Sequence, residues 1–96
     1  MALYVTLWKY TTEGFKDVKK AQKRFDMAKR AIKASGGKIV SIYGLMGKYD
    51  LISIMDMPSD KAAATIILKI CSTGRITSET MPALAIEDFL GVMKKV

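Results

Sequence analysis

Residues 39–57, IVSIYGLMGKYDLISIMDM, contain two apolar runs separated by a short turn. Both runs are rich in β-branched residues and alternate in part with small polar ones, which predicts strands over residues 38–45 and 49–57. Gly47 lies between the runs and favours a hairpin. Strict alternation along the two strands defines two faces, one with Val40, Ile42, Ile52 and Ile54, and the other with Ser41, Tyr43, Leu51, Ser53 and Met55.

A strand is also predicted over residues 2–10, where two kinds of side chain alternate. Leu3, Val5 and Leu7 are aliphatic, and we expect them to face the core. Between them lie Tyr4, Thr6 and Trp8. The rings of Tyr4 and Trp8 carry polar groups, and the Thr6 side chain is itself polar. We expect this second set to lie on a surface that another molecule covers.

Two long helices are predicted by periodicity and by their end signals. The first spans residues 18–35, with an apolar stripe at three- and four-residue spacing, Asp17 as a cap and Gly36 as its end. The second begins at Asp60 and ends at Gly74, and its almost wholly apolar sequence predicts that it is well buried. The remaining elements are a loop over residues 11–15, a strand over 75–83 and a short helix over 87–95.

This order of strands and helices predicts a single α+β domain over residues 1–96. The arrangement is the split βαβ, or ferredoxin-like, βαββαβ sandwich with a C-terminal helix. Both main helices are expected on one sheet face. The other face is predicted to carry Tyr4, Thr6, Trp8, Tyr43 and Met55. A bare patch of this kind marks an interaction site, so we expect a homodimer or a higher homo-oligomer joined through the sheets.

Composition excludes several kinds of site. The chain has no histidine and one cysteine, which disfavours a metal site and a disulfide and gives no reason to expect a cofactor. Cys71 lies in an apolar run and is predicted to be a core thiol. No basic leader and no apolar run of membrane-spanning length is visible, which favours a cytoplasmic protein without a membrane partner. The near absence of thermolabile amides alongside many lysines is typical of a thermophile.

The net charge of +7 raises the question of nucleic acid as a partner. An RNA-recognition domain shares this topology, but its third strand carries a basic-Gly-aromatic-Gly-aromatic run. Here that strand contains one aromatic residue, Tyr49, and two acids, Asp50 and Asp56. We therefore expect no specific nucleic-acid partner, and the lysines of the first helix are predicted to form a solvated face.

With these elements placed, the chain resembles the GYD domain family over nearly its whole length. The ordered features that carry the resemblance are Tyr4, the step from Trp8 to Thr11, Gly14, Arg24, Gly36-Gly37, Gly47-Lys48-Tyr49-Asp50, Pro58-Ser59-Asp60, and the closing run from Gly74 through Thr80 to Ala83. The resemblance implies a ferredoxin-like fold of the dimeric α/β-barrel kind and no particular activity. One departure is Pro82, where the family often has arginine.

We predict a small-molecule pocket between the sheet and the helices, with no catalytic residue assigned. Its candidate lining residues are Trp8, Arg24, Tyr43, Tyr49, Asp50 and Thr80. One alternative is a cofactor-independent monooxygenase or isomerase, which would need Tyr49, Asp50 or Glu79 in a pocket. Another is a purely structural or interaction module, which predicts packed interfaces and no cavity.

Several candidates also have a structural interpretation. Asp50 can bond free backbone N–H groups at the turn, while Tyr49 packs against the sheet edge. Arg24 either lays its stem on apolar surface with its head in water or holds a fixed guanidinium against a carboxylate. Glu79 is expected to pair with Arg24, Arg75 or a lysine at a surface or an interface.

Overall fold

A computed structural model describes residues 2–96, and Met1 lies outside the described residues. Four strands form one sheet, and two longer helices pack on it. The strands are β1 (Ala2–Tyr10), β2 (Lys38–Gly44), β3 (Leu51–Met57) and β4 (Ile76–Ala83); the helices are α1 (Thr12–Lys16), α2 (Ala21–Ala34), α3 (Asp60–Cys71) and α4 (Ile86–Met93), with a 3₁₀ turn at Val18–Lys20.

The strands lie in the order β2-β3-β1-β4, and every neighbouring pair is antiparallel. This confirms the predicted ferredoxin-like α+β fold. The predicted loop after β1 is instead the short helix α1, because the Thr11 hydroxyl caps it by accepting from the Gly14 N–H at 3.2 Å. No helix within residues 2–96 has the length and apolarity that a membrane span requires.

The helices cover the opposite face of β1 from the one predicted. Tyr4, Thr6 and Trp8 are at most 5% exposed and face α2 and α3. Leu3, Val5 and Leu7 are only half-buried, on the face that no helix covers. The prediction that Tyr4, Thr6, Trp8 and Met55 lie on the outer face is therefore wrong.

Hydrogen bonds within the core explain why the polar set can be buried. The Tyr4 hydroxyl donates to Asp60, Thr6 and Thr80 join their hydroxyls at 3.0 Å, and the Trp8 indole N–H donates to Ser53 Oγ at 2.9 Å. Buried polar groups that find partners escape most of the cost of leaving water. The core is therefore apolar in bulk, with each of these strand side chains bonded.

A β-bulge in β2 changes the predicted faces of the hairpin. Ile39 pairs with Met55 and Ser41 with Ile54, so Val40 is an extra residue without an opposite partner. After the bulge, Ile42 lies opposite Ser53 on the helix-covered face, and Tyr43 lies on the outer face. The predicted grouping of Ile42 with Ile52, and of Tyr43 with Ser53, is wrong for this reason.

The outer face of the sheet carries an apolar patch that no described residues cover. We call this side of the sheet the open face, and its apolar patch consists of Leu3, Val5, Leu7, Tyr43, Ile52, Ile54, Met81 and Ala83. Ser41, Asp56 and Glu79 lie on the same face, beside the patch. The smallest extent of the domain is 18 Å, which fits one helix layer on one sheet. The open face therefore lacks a second layer in the single chain.

Two helices expose apolar residues as well. α3 buries Ala63 and Ile66, whereas Leu68 is 69% exposed, so the prediction that this helix is well buried holds for one side only. α4 leaves its large apolar side chains 47–61% exposed, among them Phe89, Leu90 and Val92. In the single chain, α4 is an apolar helix with little to pack against.

Candidate functional site

A cleft of about 310 Å³ separates the sheet from α2 and α3. Its walls are mostly aromatic and aliphatic, with a few polar groups toward one end. Representative apolar lining residues are Trp8, Phe25, Ile32, Ile39, Ile42 and Met55. This volume lies at the lower end of the range for small-molecule sites, which is roughly 300–1,000 Å³.

Small side chains on opposite walls leave the cleft open. Ala21, Ala28 and Ala31 recur on the sheet-facing side of α2, where bulkier residues would fill the space. Ser53 is the small residue on the sheet wall. The same alanine spacing that makes α2 amphipathic therefore also creates the cleft.

Trp8 lies in the sheet wall and is held in place by its neighbour strand. Its indole N–H donates to Ser53 Oγ at 2.9 Å, and both residues are at most 5% exposed. The serine hydroxyl acts as acceptor in this pair, so it keeps a proton to donate. The pair presents an aromatic surface and a hydroxyl group to the cleft.

Two arginines at one end of the cleft share a single carboxylate. Asp17 Oδ2 accepts from Arg24 Nη2 at 3.1 Å and from Arg75 Nε at 3.0 Å. Arg24 Nη1 also donates to the Asp17 backbone carbonyl at 3.3 Å. The alternative of a fixed Arg24 guanidinium facing a carboxylate is thus confirmed. Asp17 holds the N-cap position of the 3₁₀ turn, as predicted, but its carboxylate makes no capping bond and accepts from the two arginines instead.

The charge at this cluster is reflected in a titration shift. The hydrogen bond from Arg75, with a smaller one from Arg24, holds the pKa of Asp17 below its ordinary value, against a desolvation effect of opposite sign. The carboxylate is therefore charged at neutral pH. The arginines remain fixed at the end of the cleft where β1 finishes, since Arg75 precedes Ile76, the partner of Tyr10.

The structure places the hairpin candidates outside the cleft lining. Asp50 Oδ2 accepts from the Tyr10 N–H at 2.8 Å, and the Asp50 N–H donates to the Trp8 carbonyl at 2.8 Å. The structural interpretation of Asp50 is thereby confirmed. The Tyr49 hydroxyl donates to Glu79 Oε1 at 3.1 Å, so Glu79 pairs with a phenol, whereas Arg24 and Arg75 pair with Asp17.

The remaining candidates lie on opposite sides of the sheet. Tyr43 is on the open face and 64% exposed. Thr80 faces the helices, where its hydroxyl bonds that of Thr6. Of the six residues predicted from the sequence, Trp8 and Arg24 come together at the cleft, and the other four do not line it.

The cleft is also lined by four polar or charged residues that the sequence did not predict there: Tyr10, Ser53, Lys69 and Arg75. Phe25 belonged to the predicted apolar stripe of the first helix, so its place on the sheet-facing side was predicted, but its role in lining the cleft was not. Ser53 carried a usable signal, since a serine in an apolar strand indicates a polar partner across the sheet. Arg75 carried none, because its partner Asp17 is distant in sequence.

The other reactive groups form no second centre in the part of the chain that the structure describes. Cys71 Sγ lies 3.4 Å from Ser78 Oγ and is half-buried, at the edge of the core. Residues 2–96 contain no group of three or more acidic, cysteine or histidine side chains placed to hold a metal ion.

Comparison with known proteins identifies the family and supports the fold. The model of the GYD domain matches residues 4–93. A relative from Thermus thermophilus, the glutamine synthetase and cystathionine beta-lyase binding protein, is 21% identical over 95 residues, which are 98% of this chain and 100% of the relative.

Two solved structures are similar in fold. The leucine response regulatory protein LrpA of Mycobacterium tuberculosis matches with a TM-score of 0.64 and 13% identity, over 88% of this chain and 51% of that one. FFRP-DM1 matches with a TM-score of 0.60 and 22% identity, over 88% of this chain and 100% of that one. Because the family model covers nearly the whole chain, this protein belongs to the GYD domain family.

Proposed function

We propose that the protein is a small, self-associating binding module that holds a small molecule in the cleft between the sheet and helices α2 and α3. The observation that carries this proposal is the cleft itself, with its volume of about 310 Å³. Apolar walls with a few convergent polar groups are typical of small-molecule sites. A cytoplasmic location is part of the same proposal.

Self-association is supported by the open face. Four strands about 4.8 Å apart and seven residues long present roughly 400 Å² in projection. The apolar patch takes up a large part of this area, and a contiguous apolar patch of a few hundred Å² on a monomer usually marks an interface. We therefore propose that the open faces of two copies pack together, and that the apolar stripe of α4 extends the contact.

Native mass spectrometry of the protein as purified from its cells tests the cleft. Ala28→Phe fills the cleft from α2, whereas Ala34→Phe adds the same ring at an exposed position outside its lining. We expect a bound small molecule in the wild type and in Ala34→Phe, and its loss in Ala28→Phe. Equal retention in all three proteins would contradict the assignment to this cleft.

Sedimentation velocity tests the association. Val5 lies centrally on the open face, opposite both Ile54 and Met81. We expect Val5→Asp to dissociate the oligomer while keeping its circular dichroism. Met46→Asp puts the same charge on the fully exposed hairpin and is expected to leave association unchanged. A monomeric wild type at tens of micromolar would contradict the proposal.

A second candidate function is docking onto other proteins. The Thermus thermophilus relative is named for binding glutamine synthetase and cystathionine beta-lyase. The exposed apolar stripe of α4 favours this candidate here, because it offers a helix face for a partner groove. Co-sedimentation with each enzyme, using Leu90→Glu on α4 against Met46→Glu, would test it. We expect loss of binding only in Leu90→Glu.

The enzyme alternative needs Tyr49, Asp50 or Glu79 in a pocket. None of the three lines the cleft, and no other aspartate or glutamate of the described residues lines it. A cofactor-independent monooxygenase or isomerase therefore draws no support from this site.

A further inference from the structure

The cleft is charged at one end and apolar at the other. Arg24 and Arg75 lie near the end where β1 finishes, together with Lys69 of α3. Ile32, toward the end of α2, lines the opposite part. Arg24 and Ile32 are eight positions apart, which corresponds to about 12 Å along the helix axis. The site therefore has a long apolar section with cations at a single end.

The charges at that end are not balanced by the protein. Three cationic side chains line the cleft, and Asp17 is the carboxylate that bonds two of them. Asp50, whose carboxylate accepts from the Tyr10 N–H, lies at the same end of β1, so three positive charges against two negative charges leave a formal surplus of one. No aspartate or glutamate among residues 2–96 lines the cleft itself. An anion entering from this end would meet guanidinium groups already held in place.

We infer that the cleft binds an amphipathic organic anion, with its carboxylate at Arg24, Arg75 and Lys69 and its apolar body along the inner walls. This inference rests on the proposed function, because it names the ligand class of the same cleft. Arg75 donates to Asp17 through Nε, so its two Nη groups can bind a carboxylate with paired hydrogen bonds. Arg24 gives Nη1 and Nη2 to Asp17 and contributes mainly its charge. The apolar body would contact Trp8, Phe25 and Met55.

Other ligand classes fit the walls less well. A nucleotide or sugar would leave many polar groups facing aliphatic side chains, at a cost of several kcal/mol for groups without partners. A neutral apolar ligand would fill the inner section but would form no favourable electrostatic contact with the cationic side chains. The combination of one charged end and one apolar section favours a ligand with the same two parts.

Two probes that share one chain length separate these possibilities. Octanoate carries a carboxylate, and 1-octanol carries a neutral hydroxyl on the same chain. The fluorescence of Trp8, the single tryptophan of the chain, reports occupancy, and calorimetry gives affinity. We expect octanoate to bind roughly tenfold more tightly, as a charge-assisted hydrogen bond provides, and this preference to decrease with salt.

Matched charge variants locate the preference. Arg24→Gln removes a cation from the cleft, whereas Arg30→Gln removes one from the exposed side of the same helix. We expect Arg24→Gln to reduce the octanoate preference to about threefold or less and Arg30→Gln to retain it. Thermal melts of both variants establish that they remain folded.

Each other outcome overturns the inference in a distinguishable way. Equal binding of octanoate and 1-octanol would support the cleft as a ligand site but would refute its preference for an anion. Binding of neither probe at millimolar concentration would overturn the ligand site together with the inference. An equal loss of the octanoate preference in Arg24→Gln and Arg30→Gln would show that the preference comes from the overall net charge, and would refute a specific anion site.

Discussion

Replacing Ser53 with alanine should destabilise the domain by leaving a buried donor without its acceptor. Ser53 Oγ accepts from the Trp8 indole N–H at 2.9 Å, and the two residues are 3% and 5% exposed. Removing one partner of a buried hydrogen bond costs about 1–3 kcal/mol. For a domain of this size, each kcal/mol lowers Tm by about 4–8 °C. We therefore expect Ser53→Ala to lower Tm by about 4 °C at the least.

A double-mutant cycle isolates the bond from the loss of the hydroxyl alone. Trp8→Phe removes the N–H, so the combined variant should lose less stability than the sum of the two single changes, by about 1 kcal/mol. Denaturant unfolding at one fixed protein concentration provides the free energies, since self-association would otherwise alter them. Ser72→Ala, at an exposed position, is the control and should change stability by less than about 0.5 kcal/mol.

Strictly additive effects of the two changes would refute the role assigned to the Trp8–Ser53 bond. Additivity would mean that the indole N–H does not depend on Ser53, and the buried pair would then not fix the sheet wall of the cleft. A stable Ser53→Ala variant with reduced probe binding would assign the hydroxyl to the ligand instead.

Further changes test the packing and the charge cluster. Gly14→Ala should destabilise the domain by about 2 kcal/mol, because its Cβ would lie 2.0 Å from the Arg75 carbonyl oxygen and the backbone must move; Gly91→Ala, with open space around it, should be neutral or stabilising in the same unfolding assay. Asp17→Asn should lower stability near neutral pH. The lowered pKa of Asp17 means that its contribution is complete above the ordinary value of 3.8 and is lost as pH falls through the lower folded-state pKa, so the gap to wild type should close in acid. A gap that stayed constant down to about pH 2, or an equal effect of the control Asp26→Asn, would contradict this assignment.

The order of elements could be predicted from the sequence because each boundary has a local cause. Apolar runs set the strands, and Gly36 and Gly74, both with positive φ, follow the ends of the two long helices. These signals depend on neighbours in the chain. The fold class follows from their order, and the sheet confirms it.

The sequence could not assign the faces of β1, because both sets of alternating residues are apolar enough to be buried. Hydropathy alone ranks Leu3, Val5 and Leu7 above Tyr4, Thr6 and Trp8. The deciding factor is the set of partners for the hydroxyl and indole groups, which lie on other strands and on α3. The bulge at Val40 is equally hidden, since an extra residue leaves no trace in an alternating pattern.

The cleft was predictable only in outline. A pocket between sheet and helices, with Trp8 and Arg24 as candidates, was expected, and both residues line it. The distance between facing walls depends on how α2 and α3 pack, which no local pattern contains. The Arg75 side of the charge cluster likewise depends on a contact between residues 58 positions apart.

The side-chain hydrogen bonds between β1 and its two neighbouring strands also fix the register of β1. Thr6 is tied to Thr80 on β4, and Trp8 is tied to Ser53 on β3. A slip of one position would bring the aliphatic set under the helices at almost no hydrophobic loss, but it would leave the Ser53 and Thr80 hydroxyls facing aliphatic side chains without partners, at about 1–3 kcal/mol each. The apolar residues of this strand thus permit two alignments, and the polar ones admit a single alignment. The small polar side chains of the core therefore determine the register of the sheet, and the position of the cleft walls depends on that register.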